Sequence, residues 1–234
     1  VVDLVRNLGI AAGGTVMEDC RVLEACREGK YTSVLVQTHD KKYVEYRTEH
    51  FVNALGSGAG KLCDSMGIDA GLYPVRHQAF ITRRLPMLGK HGTNLDMLID
   101  RQDYKGFSAV YGQQIAYTGQ IIGCASPKLD AMRIDKNLKV NTKAFLEIVS
   151  EMFSEWIPDL AGVGIQAVWA GYYTEPRYIV DPELGLFVGM RGHGFMLSQY
   201  IARMYVDKLL GRPVPEYFEK LKLNGPGLSE KAFK

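Results

Sequence analysis

Apolar and polar residues alternate in three short bursts near the start of the chain, at Cys20–Glu28, Ser33–Thr38 and Tyr43–Arg47. Polar turns at Glu28-Gly29-Lys30 and His39-Asp40-Lys41 separate them, so the pattern predicts an antiparallel meander of three strands. Leu4–Leu8, ahead of it, reads as the tail of a helix stopped by Gly9. Beyond it, Phe51-Val52-Asn53-Ala54-Leu55 is an apolar run suited to a strand buried on both faces. The glycine run Gly56-Ser57-Gly58-Ala59-Gly60 follows, and then an amphipathic helix carrying Leu62, Cys63 and Met66.

From Tyr73 the pattern changes. Tyr73–Thr82 alternates after its proline and reads as a strand, with His77 on the alternate, partly exposed face. A polar loop through Arg84–Thr93 precedes strand-like runs at Leu95–Arg101, Phe107–Gln113 and Gln114–Cys124, the last two hard to divide. Pro127–Asn141 is a charged connection. In residues 142–157, Phe145, Leu146, Val149, Met152, Phe153 and Trp156 recur at helical spacing, and Pro158 closes the run. An antiparallel sheet backed by one or two helices is the expected shape. Val168–Tyr173 is a further strand. Near the C-terminus a short apolar strand, Leu186–Val188, turns through Gly189, Gly192 and Gly194 into a helix. Phe195, Leu197, Tyr200, Ile201, Met204, Tyr205 and Leu209 are expected on its buried face, with Gly211 and Pro213 ending it.

Composition narrows the function. The 234 residues are 47% apolar and 23% charged with a net charge of +2, and no basic run supports nucleic-acid binding. No apolar stretch has the length of a membrane span. The chain opens Val1-Val2-Asp3 without a signal-peptide pattern, as a processed chain or a piece of a longer one would. Cys20, Cys26, Cys63 and Cys124 form no metal spacing, which points to buried free thiols in a reducing, cytoplasmic setting. The glycine run at 56–60 is no P-loop: three residues rather than four separate Gly56 and Gly60, and Leu62 stands where a Ser or Thr belongs. Lys61 likewise takes the place of the third glycine in a dinucleotide fingerprint.

The strand-to-helix turn at 189–196 carries more chemistry. The first amides of its helix have no acceptor within the helix, and the positive end of the helix dipole stands behind them. That end suits an anion or a developing negative charge. The glycines alone fit a tight turn that merely packs a helix on a strand. Gly189-x-x-Gly192-His193-Gly194-Phe195-Met196, however, resembles the C-terminal flavin-binding turn of the FAD-dependent oxidoreductases of the D-amino-acid-oxidase superfamily. Its sarcosine oxidase, glycine oxidase and dye-linked proline dehydrogenase branch looks nearest.

That resemblance implies an α+β chain in three parts. Residues 1–72 would be the later part of an FAD-binding α/β domain, 73–168 an antiparallel-sheet substrate domain, and 169–234 a return to the FAD domain. Val22, Ala54, Gly56, Gly189, Gly192, His193, Gly194, Phe195 and Met196 would contact non-covalently bound FAD. Arg101, Tyr111 and Tyr172 would line a pocket for a small amine or amino acid. Pro74-Val75-Arg76-x-Gln78 resembles the strand that enters the family's substrate domain, and Arg76 is either a carboxylate anchor or a paired structural residue. Ala170, where the covalent sarcosine oxidases carry a Cys nearby, argues against a covalent link. Met196, where they carry a Lys, tilts the resemblance towards a dehydrogenase. The family's N-terminal G-x-G-x-x-G unit is not in this sequence, so the missing part belongs to a longer chain or a partner, and this chain alone is expected to hold FAD weakly or not at all. An uncovered sheet edge would favour self-association. The alternative is a non-catalytic α+β binding or assembly module that keeps the fold without the cofactor. No particular catalytic side chain or metal cluster stands out.

Overall fold

The computed structural model describes residues 1–89, 94–101, 107–127, 142–158 and 161–227. The chain folds as two compact units. The first gathers Val1–Gly71, Ile179–Val188 and Ala202–Pro226; the second is built mainly from Leu72–Tyr178 and Gly189–Ile201.

In the first unit, helix α1 (Val2–Ala11) is followed by strands β1 (Arg21–Glu28), β2 (Tyr31–Gln37) and β3 (Tyr43–Thr48). They form the expected meander in the order β1-β2-β3, antiparallel throughout. Ala25, Val34 and Val36 turn to one side and pack with Leu62 of helix α2 (Ala59–Ser65), with Val22, Phe51 and Met66 around them. Alternation puts one set of side chains on that face, and α2 covers it. Two expectations change here. Gly9 does not stop α1, which runs on to Ala11. The strand expected at 51–55 is a single parallel bridge between Asn53 and Leu186. Asn53 is 1% exposed. Its amide donates to the Ala59 carbonyl over 3.0 Å, and its side-chain oxygen accepts the Leu55 amide over 3.3 Å. The polar side chain ends the pairing by bonding to its own loop.

Strands β9 (Ile179–Asp181) and β10 (Leu186–Val188) pair antiparallel in this unit, and five of their six residues are buried. Asp181 accepts the amides of Glu183 and Leu184 across the turn and that of Leu223 beyond it. Helix α4 (Gly194–Leu209) buries Ile201, Met204 and Tyr205. Its end is fixed by two bonds, from the Arg212 amide to the Asp207 carbonyl and from the Gly211 amide to that of Lys208. Gly211 has φ +68°, the left-handed position such a cap requires.

The second unit is a five-stranded antiparallel sheet in the order β5-β6-β7-β4-β8. Its strands are β4 (Tyr73–Thr82), β5 (Leu98–Asp100), β6 (Phe107–Ile115), β7 (Gln120–Pro127) and β8 (Ile165–Glu175). The boundary that the pattern left open between β6 and β7 falls at a turn with Tyr117 at φ +70° and Gly119 at +68°. Helix α3 (Thr142–Trp156) lies on one face. There Phe80, Val110, Ile121 and Ala125 pack with Val149, Met152 and Phe153, and the Phe80 and Phe153 rings meet edge to face at 5.4 Å. Each such buried side chain contributes about 1.5–3 kcal/mol. The connection expected at 127–141 lies outside the described residues apart from Pro127. Among the described residues no helix is long and apolar enough to cross a membrane. The four cysteines are free, but only Cys63 and Cys124 are buried as expected; Cys20 is half-buried and Cys26, near the end of a strand one face of which is open, is exposed.

Candidate functional site

Strand parity decides which side chains share the open face of the second unit's sheet. Phe80 packs on the α3 side, so its neighbours one residue away point to the other side. Register then assembles that other face: Val75 and His77 on β4 lie opposite Tyr173 and Gly171 on β8, Ala79 lies opposite both Trp169 and Cys124, and Cys124 lies opposite Tyr111. Tyr172, paired with Arg76, falls on the α3 side. The structure therefore brings Tyr111 together with Tyr173, not with Tyr172. Arg101 is exposed just past β5, beside residues outside the described set.

The open face carries a connected polar cluster. The Tyr111 hydroxyl is hydrogen-bonded to Tyr173 and to Cys124. His77 lies on the Tyr173 ring, 4.0 Å between centroids and 30° between planes. Burial pushes the phenols of Tyr111 and Tyr173 and the thiol of Cys124 above their ordinary ranges. The same burial pushes His77 down to about 4, so it is neutral at physiological pH. Its Nδ1 is buried without a hydrogen-bond partner in the structure. Neutral hydroxyls and a neutral imidazole give a face suited to hydrogen bonding and stacking rather than to charge pairing.

The turn from Gly189 to Gly194 is tied to the same unit at four points. A Cβ on Gly189, at φ +72°, would overlap the Arg177 carbonyl oxygen. One on Gly192 would stand 2.9 Å from the Tyr173 ring, and one on Gly194 would stand 2.8 Å from the Met190 Cβ. These glycines are thus demanded by the chain's own close packing, not only by the approach of a ligand. Arg191 Nε donates to Glu175 Oε2 over 2.6 Å in a mostly buried ion pair. That pair supports an arginine held at φ +48°, a region non-glycine residues seldom occupy. The hydroxyl of Tyr178 and Nδ1 of His193 are 2.6 Å apart.

Helix α4 starts directly from this turn. Phe195 and Met196 in its first turn are 71% and 69% exposed, and Tyr200 is 56% exposed, so the expected buried stripe is buried only from Ile201 onward. Free helix amides beside exposed apolar side chains fit the edge of a planar ring that gathers negative charge, as flavin does. In the first unit, Val22 packs with the meander core, and Ala54 is exposed. Gly56 at φ +54° faces open space, with no atom within 4 Å of a built Cβ. Sequence reasoning missed Tyr173 and Cys124 as members of the cluster and left His77 as an ordinary strand residue. The aromatic pair Tyr172-Tyr173 was the available signal, but its phase was not.

A family profile described as FAD dependent oxidoreductase (DAO) matches residues 1–208. Solved structures share the fold. Glycine oxidase from Geobacillus kaustophilus matches with a TM-score of 0.68 and 17% identity, over 92% of this chain and 54% of that one. Glycine oxidase from Bacillus cereus gives 0.68 and 19%, over 91% and 55%. Iminodiacetate oxidase from Chelativorans gives 0.68 and 15%, over 95% and 57%. The chain thus spans little more than half the length of these structures. No curated protein sequence matches it.

Proposed function

The chain belongs to the DAO family of FAD-dependent oxidoreductases, and on that premise we propose that it is the substrate-binding and flavin-capping part of an enzyme that oxidises the C–N bond of a small amino acid or amine. FAD is the family's cofactor and supplies the hydride acceptor when bound. In the second unit, the first turn of α4 meets the ring edge with its backbone amides and stabilises the negative charge that reduction places there. Gly189, Gly192, His193, Gly194, Phe195 and Met196 make up that contact. Val22, Ala54 and Gly56 are the first unit's contribution to cofactor binding. Tyr111 and Tyr173 orient the substrate through neutral hydroxyls. Met196, where the covalent sarcosine oxidases carry a Lys, favours a dehydrogenase over an oxidase.

The observation that carries this reading is the turn itself, clamped to Tyr173, Glu175 and Tyr178 while its helix end stays exposed. The test is flavin absorbance as the purified chain is titrated into FAD, with sarcosine or proline then added in the absence of oxygen. Weak binding that perturbs the flavin bands and is lost on desalting, followed by bleaching on addition of substrate, is the expected result. A flavin spectrum unchanged at the highest chain concentration would sink the claim that this chain works alone; flavin bound but bleached by no small amino acid or amine would overturn the reading.

A further inference from the structure

Of the four ties that hold the 189–194 turn, two are close contacts of its backbone, one is the Arg191–Glu175 ion pair, and one acts on a side chain with two tautomeric states. Tyr178 is 7% exposed, and its hydroxyl stands 2.6 Å from Nδ1 of His193. His193 itself is exposed and lies in the 3-10 turn that leads into α4, one residue before the helix begins. A neutral imidazole has one N–H and one acceptor nitrogen, and the bond made at one nitrogen decides what the other presents. A phenol hydroxyl is a strong donor and the bare imidazole nitrogen a strong acceptor, so the pairing favours O–H donating to Nδ1.

We propose that Tyr178 is a positioning residue that donates to Nδ1 of His193 and so holds it as the Nε2–H tautomer. The turn then offers one fixed side-chain N–H donor next to the free amides of α4. Such a donor suits a carbonyl or anionic oxygen on the edge of a bound ring. The idea rests on the reading that a flavin sits at this turn, but the tautomer itself does not need the flavin to be measured. Neither Gly192 nor Gly194 could supply such a donor, and the Arg191 guanidinium is engaged with Glu175.

The test is long-range 1H–15N correlation of histidine-labelled chain at pH 9, where an ordinary imidazole is neutral. The His193 signals are assigned by their loss in His193→Gln. An acceptor-type Nδ1 and a protonated Nε2 are expected in the native chain, and averaged signals of mixed tautomers in Tyr178→Phe. Glu175→Gln loosens the same turn through a different tie and should leave the tautomer as it was. A protonated Nδ1 in the native chain, an unchanged pattern in Tyr178→Phe, or an equal change in Glu175→Gln would each overturn the proposal. Because no FAD is present, these outcomes are independent of whether the flavin titration succeeds.

Discussion

The imidazole of His77 packs on the phenol ring of Tyr173 at a 30° tilt, with 4.0 Å between the ring centroids. Burial holds that imidazole neutral down to about pH 4, against 6.5 for the free side chain. Between those values the unfolded chain takes up a proton that the folded chain refuses, so stability falls as pH drops through that window. The full effect is up to roughly 3 kcal/mol. Urea unfolding at pH 7 and at pH 4.5 should therefore show a lower midpoint in acid. His77→Phe keeps a ring on Tyr173 and should remove that part of the pH dependence. Identical slopes in the two proteins would contradict the assignment.

Gly192 and Tyr173 are coupled by space. A methyl group at 192 must displace the Tyr173 ring, which stands 2.9 Å from where the Cβ would be. Gly192→Ala should cost about 1–3 kcal/mol. In a Tyr173→Ala background most of that cost should vanish, giving a coupling energy of about 1 kcal/mol or more in a double-mutant cycle. Additive costs in denaturant melts would show that the turn does not rest on Tyr173.

In the first unit Asn53 joins a loop to a strand through its side chain. Asn53→Leu keeps the branched shape but removes the donor to the Ala59 carbonyl and the acceptor for the Leu55 amide. Two groups then lose their partners in a site where Asn53 is 1% exposed. A loss of about 2–4 kcal/mol is expected from the unfolding midpoint. Asn53→Asp should recover part of it through the Leu55 amide alone, and failure of Asp to exceed Leu would show that this acceptor contributes nothing.

The meander was legible because polar turns interrupt its alternation, at Glu28-Gly29-Lys30, with Gly29 at φ +62°, and at His39-Asp40-Lys41. The β6–β7 boundary was not legible, since Gln113 and Gln114 sit in mid-strand without a breaker and the actual turn includes a tyrosine. The site was half legible. Its glycine turn and Tyr111 stood out by residue type. Tyr173 did not, because Tyr172 is equally aromatic and only the pairing of Val75 with Tyr173 fixes the phase. A slip of one residue moves a whole strand to the other face. For α4 the helical period was right, but period alone cannot show that Phe195 and Tyr200 stay in solvent while Ile201 is buried.

Gly112 and Gly123 face each other across β6 and β7, and the rings of Phe153 and Phe80 occupy the places where their side chains would be. Both rings belong to the α3 side, away from the tyrosine cluster. In a saturation screen these two positions should behave as pure yield determinants: nearly every replacement would lower the amount of folded protein, and whatever folded would keep native ligand affinity. On the proposed reading, Tyr111→Phe should show the reverse signature, near-normal yield with altered affinity. On that reading the two sides of one sheet would separate a foldability phenotype from a recognition phenotype, and a random library could be sorted by which side a substitution strikes.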